Sequence, residues 1–388
     1  MKKIILIIIS LIFFIPKVFA VTLSEALTQT YKNNPELNAE RENIKVSEED
    51  LNISKGEYLP TLTLSGSKSK EDTNKLTNQS GGDASITDVD PLSTSITIEQ
   101  TLVDFGRSAT HDKNKIGIDI AKAKLLKKEQ DILFKAVEAY TGLILANEKF
   151  KINQANVSLL ERQVETDSIR LERGQVTLAD VAQSESSLAE SQAKFIQAKN
   201  GVLTSKLNYE NIIGPISDSN KLLKNSTLDF IMPENLNAAI KLSKKNNPDL
   251  IIAELEYEQS KKDTKIAQSD LAPTAKLSFE RSYSEDLSST YDEREKDVLK
   301  ATISWPFYSG GKNIATFKKN QNLQTRNKLL LNNTTKTNET NVASAWSNFQ
   351  SSKSLLNSVG LQLKAAEIAN EGITAEYESG LGRTTLEV

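Results

Sequence analysis

The chain of 388 residues has no cysteine, so no disulfide staples it and no thiolate can hold a metal. Its one histidine, His111, stands alone, and an imidazole-based triad or zinc centre needs partners; a solvated surface histidine is expected. Beyond residue 20 no apolar run approaches 18 residues, which argues against membrane-spanning helices and leaves a β-barrel as the way to cross a bilayer. Bases do not outnumber acids, 48 against 51, and no basic patch suits a nucleic acid. Proline is missing between Pro91 and Pro215 and after Pro306, leaving two long stretches without helix breakers. Catalytic motifs are lacking too. Asp104-Phe105-Gly106 has the letters of the kinase metal-binding tripeptide but no catalytic loop or glycine-rich loop accompanies it, and Gly310-Gly311-Lys312 lacks the preceding glycine of a phosphate loop. Both read as strand-to-helix turns, and neither enzyme activity nor a cofactor is expected.

Residues 1–20 do have a clear character. Lys2 and Lys3 precede an apolar run from Ile4 to Ile15, and Val18-Phe19-Ala20 ends the segment on a small residue. This is the plan of a secretory signal peptide cleaved before Val21; the run is shorter than the roughly 20 residues of a spanning helix. Val21 in place of a cysteine excludes a lipoprotein anchor at this site. Losing the leader with Lys2, Lys3 and Lys17 takes the formal charge from −3 to −6.

Self-comparison finds a duplication. Residues 23–64 and 236–277 align without a gap, matching Asn33-Asn34-Pro35 with Asn246-Asn247-Pro248, Leu37 with Leu250 and Pro60-Thr61 with Pro273-Thr274. Phe105-Gly106-Arg107 then corresponds to Gly310-Gly311-Lys312, and the segment around Gly174 to that around Gly380. Two repeats, 21–233 and 234–388, are each expected to run short helix, strand, loop, strand, long helix, tight turn, helix. The second stops at Val388, inside the turn, so the sequence reads as a fragment or truncated product.

Val181, Leu188, Phe195, Val202 and Tyr209 recur every seven residues, and Val342, Ala345, Phe349, Ser352, Leu356, Val359, Leu363 and Ala366 alternate spacings of three and four. Both are coiled-coil seams, thin in large residues and rich in Ala, Ser and Thr. Helices over about Leu23 to Lys55, Gly106 to Leu171 and Thr177 to Ile213 would be roughly 50, 98 and 55 Å long. A wide helical tube or a long periplasmic hairpin would both fit such seams.

Four strands, at about 58–67, 92–104, 272–281 and 297–308, alternate apolar and polar residues. Ile96, Ile98 and Leu102 interleave with Ser95, Thr97 and Glu99, and Leu299, Ala301 and Ile303 with Lys300, Thr302 and Ser304. That alternation is the outer-membrane barrel signature, apolar outward and polar inward. Trp305, Phe307 and Tyr308 suit an interfacial aromatic girdle, and polar loops over Lys68–Asp90 and Arg281–Glu295 would face outside. Four strands cannot close a barrel alone, and open edges are not tolerated in lipid, so the chain must associate.

In their duplicated order, the Asn-Asn-Pro motifs, the Tyr58-Leu59-Pro60 and Leu271-Ala272-Pro273 turns, the glycine turns at Gly106 and Gly310-Gly311, and the hairpin tips resemble the TolC-type outer-membrane factors, over residues 21–388. The resemblance implies a mixed α and β membrane protein: a homotrimeric outer-membrane β-barrel of four strands per chain, continued by a coiled-coil α-helical barrel in the periplasm. It implies a passive exit duct for efflux of small molecules or type I protein secretion, working with a periplasmic adaptor (membrane fusion) protein and an inner-membrane transporter. By position it makes Asp180, Tyr377, Arg383 and Glu387 candidates for the periplasmic gate, with Gly174 and Gly380 as hairpin-turn glycines. Thr177-x-x-Asp180 and Thr384-x-x-Glu387 fit helix capping boxes equally well. Arg383, a cation near a helix N-terminus, calls for a specific partner. A periplasmic coiled-coil adaptor or an adhesin is the rival reading; it explains leader and helices but not the strands.

Overall fold

The computed structural model describes residues 21–72, 89–224, 232–288 and 291–378. The expected leader, most of the first loop, and Gly380, Arg383 and Glu387 lie outside the described residues. Elements run α1 (Leu23–Asn33), α2 (Pro35–Gly56), β1 (Thr61–Lys68), β2 (Leu92–Val103), α3 (Arg107–Glu172), α4 (Leu178–Ile212), α5 (Leu236–Asn246), α6 (Pro248–Ser269), β3 (Thr274–Ser288), β4 (Tyr291–Ser304) and α7 (Lys312–Glu378). The duplication is visible in the lengths: α1 and α5 each have 11 residues, α2 and α6 each 22.

The single helix expected over Leu23–Lys55 is two, and so is its counterpart. The Asn-Pro steps are the cause. Asn34 leaves the helical region, and its side-chain oxygen accepts from the Glu36 and Leu37 amides at 3.0 and 3.1 Å. Asn247 does the same for Asp249 at 2.8 Å, while Pro35 and Pro248, having no N–H to lose, open the next helix.

The chain divides into two compact units. One comprises Met1–Glu40, Leu125–Ser243 and Glu339–Val388. Its core gathers Leu23 and Ala26 of α1, Ala136, Ala139, Tyr140 and Leu143 of α3, and Tyr209, Ile213, Ile216 and Leu222 from α4 onward. The Tyr140 hydroxyl donates in a bifurcated manner toward the Val21 and Leu223 carbonyls, 2.8 and 3.0 Å away, beside a bridge between Val21 and Leu222. Burial pushes the Tyr209 hydroxyl up to about 12, with Tyr140 adding to the shift.

In the α4 seam, Val181 and Tyr209 are buried and Leu188, Phe195 and Val202 half-buried, while the alternate positions are small, with Ser184 and Ser191 fully enclosed. Small knobs let α3 approach closely, and Phe150 meets Phe195 at 5.3 Å between ring centres. The α7 seam is open by contrast, with Phe349, Leu356, Val359 and Leu363 all exposed.

The second unit comprises Arg41–Lys124 and Lys244–Asn338 and holds the sheet. Its helices are joined by polar contacts: Lys113 to Asp263 and Lys262 to Asp112, both at 2.7 Å, and the Thr264 hydroxyl with Gln324 at 3.1 Å. His111 is not the solvated residue expected; it is half-buried, edge-on to Tyr58 at 6.4 Å, with Nδ1 3.5 Å from the Ser54 hydroxyl. No cluster of metal-ligating side chains occurs among the described residues.

The sheet is antiparallel in the order β1-β2-β3-β4. Four boundaries differ from expectation. Residues 58–60 belong to the turn closing α2, where the Tyr58 and Leu59 amides donate to Lys55 and Gly56 carbonyls. Arg281–Glu295 is not a loop, since β3 and β4 remain paired as far as Glu285 with Glu293 and again at Ser288 with Tyr291. Likewise the first hairpin stays paired to Glu71 with Val89. Polar residues on both faces of a hairpin resemble a loop in sequence, but the backbone ladder continues through them. Finally, β4 ends at Ser304, so Trp305, Phe307 and Tyr308 follow the strand; Pro306 cannot donate to a ladder.

Candidate functional site

The register sets whole rows of like character side by side. Leu62, Ile98, Phe279 and Leu299 lie opposite one another in one row, and Thr61, Glu99, Ser278 and Lys300 in the next. On the polar face Lys276 reaches Glu99 at 2.8 Å. The apolar face is the open one: Leu62 is 71% exposed, Leu299 73% and Ile303 78%. On the polar face Lys276 and the edge-strand residues Thr61, Lys300 and Thr302 are exposed, while Thr97, Glu99, Ser278 and Glu280 of the two central strands are half-buried. A water-soluble protein does the reverse, because each exposed leucine or isoleucine forgoes about 1.5 to 3 kcal/mol of burial. An apolar outer band over a polar interior is what a barrel in lipid requires. Trp305, Phe307 and Tyr308 follow this band, 60%, 85% and 85% exposed. The Trp305 indole donates to the Leu271 carbonyl at 3.1 Å and its ring meets Phe307 edge-on at 5.8 Å, an amphipathic pair suited to an interface.

The strand-to-helix turns are where the glycines sit. A Cβ on Gly106 would stand 2.3 Å from the Ser269 hydroxyl, which donates to the Ile266 carbonyl at 2.6 Å, so a side chain here would force that serine aside. Beside it Arg107 is buried, donating to the Thr101 carbonyl at 2.9 Å with its guanidinium 4.9 Å from the Tyr58 ring centre. Gly310 and Gly311 take φ of +63° and +80°, the left-handed region open to glycine at little cost.

At the first hairpin tip α3 ends on Gly174, φ +68°, and the Gln175 amide donates back to the Arg170 carbonyl at 2.9 Å. α4 then begins with the expected capping box. The Asp180 amide donates to the Thr177 hydroxyl at 3.3 Å, and the Thr177 amide to the Asp180 carboxylate at 2.7 Å. The Thr177 amide first, and the Thr177 hydroxyl donating to the same carboxylate at 2.8 Å second, hold the Asp180 carboxyl below its ordinary value. What it contributes to the tip is therefore fully present above the ordinary carboxylate pKa and is lost only as pH falls through the lowered value. Of the four gate candidates, Asp180 is placed here as a helix cap. Tyr377 falls in the last turn of α7, and Arg383 and Glu387 lie outside the described residues. One polar contact had no sequence signal: the Ser184 hydroxyl donates at 2.6 Å to buried Asp167, across the hairpin. Only pairing of the two helices could have revealed it.

The family model described as "Outer membrane efflux protein" matches residues 26–215 and 239–387, one segment in each half of the chain. The chain belongs to this family. Among relatives of this efflux protein, "Outer membrane efflux protein BepC" of Brucella suis is 24% identical over 370 residues, 95% of this chain and 78% of the relative. "Alkaline protease secretion protein AprF" of Pseudomonas aeruginosa is 23% identical over 309 residues, 76% of this chain and 63% of the relative. The crystal structure of the outer membrane protein VceC from Vibrio cholerae shares the fold, with a TM-score of 0.75 at 17% identity, covering 94% of this chain and 88% of that one. The efflux protein is thus an outer membrane channel protein of TolC type, and its work is transport rather than catalysis. The mixed fold, four antiparallel strands with long helices in two repeats, is the family's.

Proposed function

We propose that three copies of the chain close one barrel in the outer membrane and act as a passive exit duct, moving cargo by the energy of an inner-membrane transporter reached through a periplasmic adaptor protein. The observation that carries this reading is the pair of sheet edges. Among the described residues β1 pairs only with β2 and β4 only with β3, while Leu62, Leu64, Leu299 and Ile303 on those edges face outward. An unpaired edge in hydrocarbon leaves N–H and C=O groups unsatisfied at several kcal/mol each, so β1 of one copy must meet β4 of another. Twelve strands from three copies satisfy every edge. Cross-linking the detergent-extracted protein and measuring its mass tests this: a trimer is expected, and a monomer or dimer would overturn it.

Within this reading residues 1–20 are the export leader, 21–233 and 234–388 the two structural repeats. The hairpin tips close the periplasmic entrance, Arg383 bonding to acids such as Asp180 and Glu387, with Tyr377 adding a hydroxyl. An exposed ion pair contributes only about 0 to 1 kcal/mol, but three related copies act on one opening, and about 1.4 kcal/mol is tenfold in population. Arg383→Ala is therefore expected to raise resting conductance several-fold in planar bilayers, while Thr177→Ala loosens the first tip by about 0.5 to 2 kcal/mol. Unchanged conductance in the arginine variant would assign the tip acids to capping alone.

A further inference from the structure

β4 sorts its charges by sign. From Glu293 to Lys300 its residues alternate between faces, and Arg281 of β3 identifies which is which: it pairs with Glu295 at 3.5 Å and Asp297 at 3.9 Å on the face that carries Leu299 and Ile303. Glu293 shares that face by the same alternation, and so does Glu285, bonded to Tyr283 at 2.7 Å. Arg294, Lys296 and Lys300 consequently lie on the polar face with Lys276. On the outer face of the β3–β4 hairpin one cation stands against four acids. On the inner face of β4 three cations stand against one acid, Asp292; Lys276 and Glu280 of β3 offset each other there, Glu99 of β2 occupies Lys276, and Asp286 sits in the irregular step of β3. A chain with a formal charge of −3 thus turns a positive stripe inward.

We propose that Arg294, Lys296 and Lys300 make the inner wall of the barrel a cationic stripe that favours passage of anionic over cationic solutes. The proposal rests on the reading that this face lines the lumen. Arg294 and Lys296 are two residues apart, about 6.7 Å along a strand, and Lys300 follows two such steps on. The first spacing lies within the roughly 8 Å screening length of physiological salt, so Arg294 and Lys296 act together, while Lys300, about 13 Å further on, extends the stripe along the wall. Three copies repeat the stripe around the lumen, and low-dielectric walls focus its field to a few kT, enough to enrich one sign of ion. The acids on the outer face point away from the lumen, so their charge reaches it only across the sheet.

The test is the reversal potential of the full chain in planar bilayers under a potassium chloride gradient. The set Arg294→Glu, Lys296→Glu, Lys300→Glu is expected to lower the ratio of chloride to potassium permeability by about threefold or more, the response to a potential change on the order of kT. The outer-face set Glu293→Lys, Glu295→Lys, Asp297→Lys should leave the ratio near its starting value. If the triple substitution fails to assemble, Lys296→Gln and Lys296→Glu alone must give a graded fall in the same direction. A ratio unmoved by the inner set, or moved equally by both sets, overturns the cationic stripe while leaving the channel intact. No conductance from the unsubstituted protein would instead overturn the channel reading, and the stripe with it.

Discussion

Leu299→Arg is expected to destabilise the assembled protein by about 2 to 4 kcal/mol per subunit, the cost of a cation on the lipid face of a barrel near mid-bilayer. Leu299 stands on β4 in a row with Leu62, Ile98 and Phe279, and it is 73% exposed. Its neighbour supplies the control, since the chain already carries Lys300 one position along, on the opposite face. Thr302→Arg, also on the polar face, should therefore cost far less. Urea unfolding from lipid vesicles measures both. A soluble sheet with its apolar face covered by a protein partner would lose stability on Leu299→Arg too, but in detergent-free buffer, where the channel does not stay dispersed.

The second large effect is expected in the helical unit. Tyr140→Ala should cost about 3 to 5 kcal/mol, because the ring is buried to 1% exposure among Leu23, Ala136, Leu143 and Tyr209 and the helices around it cannot fully collapse onto the cavity. Tyr140→Phe separates packing from bonding. It keeps the ring, loses the hydroxyl shared by the Val21 and Leu223 carbonyls, and should cost about 1 to 3 kcal/mol. Hydrogen exchange localises the loss: the amide of Leu223, which bonds to the Val21 carbonyl, should exchange faster in the phenylalanine variant than those of the α3 interior. Uniformly faster exchange would mean that the hydroxyl is not what ties the start of the chain to the end of the first repeat.

The sheet was legible because its physics is written in single residues. Alternation of Ile96, Ile98 and Leu299 with Thr97, Glu99 and Lys300 gives the face of each side chain without reference to any neighbour, and the register then only has to align rows. The capping box at Thr177 and Asp180 is equally local. Interactions that join distant segments were not legible. Asp167 with Ser184, Arg107 beneath Tyr58, and His111 against Ser54 each depend on which helix faces which, and the heptad pattern leaves that open. The break between α1 and α2 was written in Asn34-Pro35 but hidden by the hydrophobic periodicity that continues through it. Strand ends failed for a different reason. Arg281 to Glu295 is as polar as a loop, yet pairing across the hairpin satisfies its backbone and carries the ladder on beyond the apolar band.

The claim that the sheet is one wall of a membrane barrel, polar face to water and apolar face to lipid, is tested most directly by thiol labelling. The chain has no native cysteine, so single cysteines at Thr97, Ile98, Ile303 and Ser304 can be introduced without background. In protein reconstituted into lipid, a water-soluble thiol reagent should label Thr97→Cys and Ser304→Cys and leave Ile98→Cys and Ile303→Cys unreacted. Equal labelling at all four positions, or labelling of the isoleucine pair alone, would contradict the account.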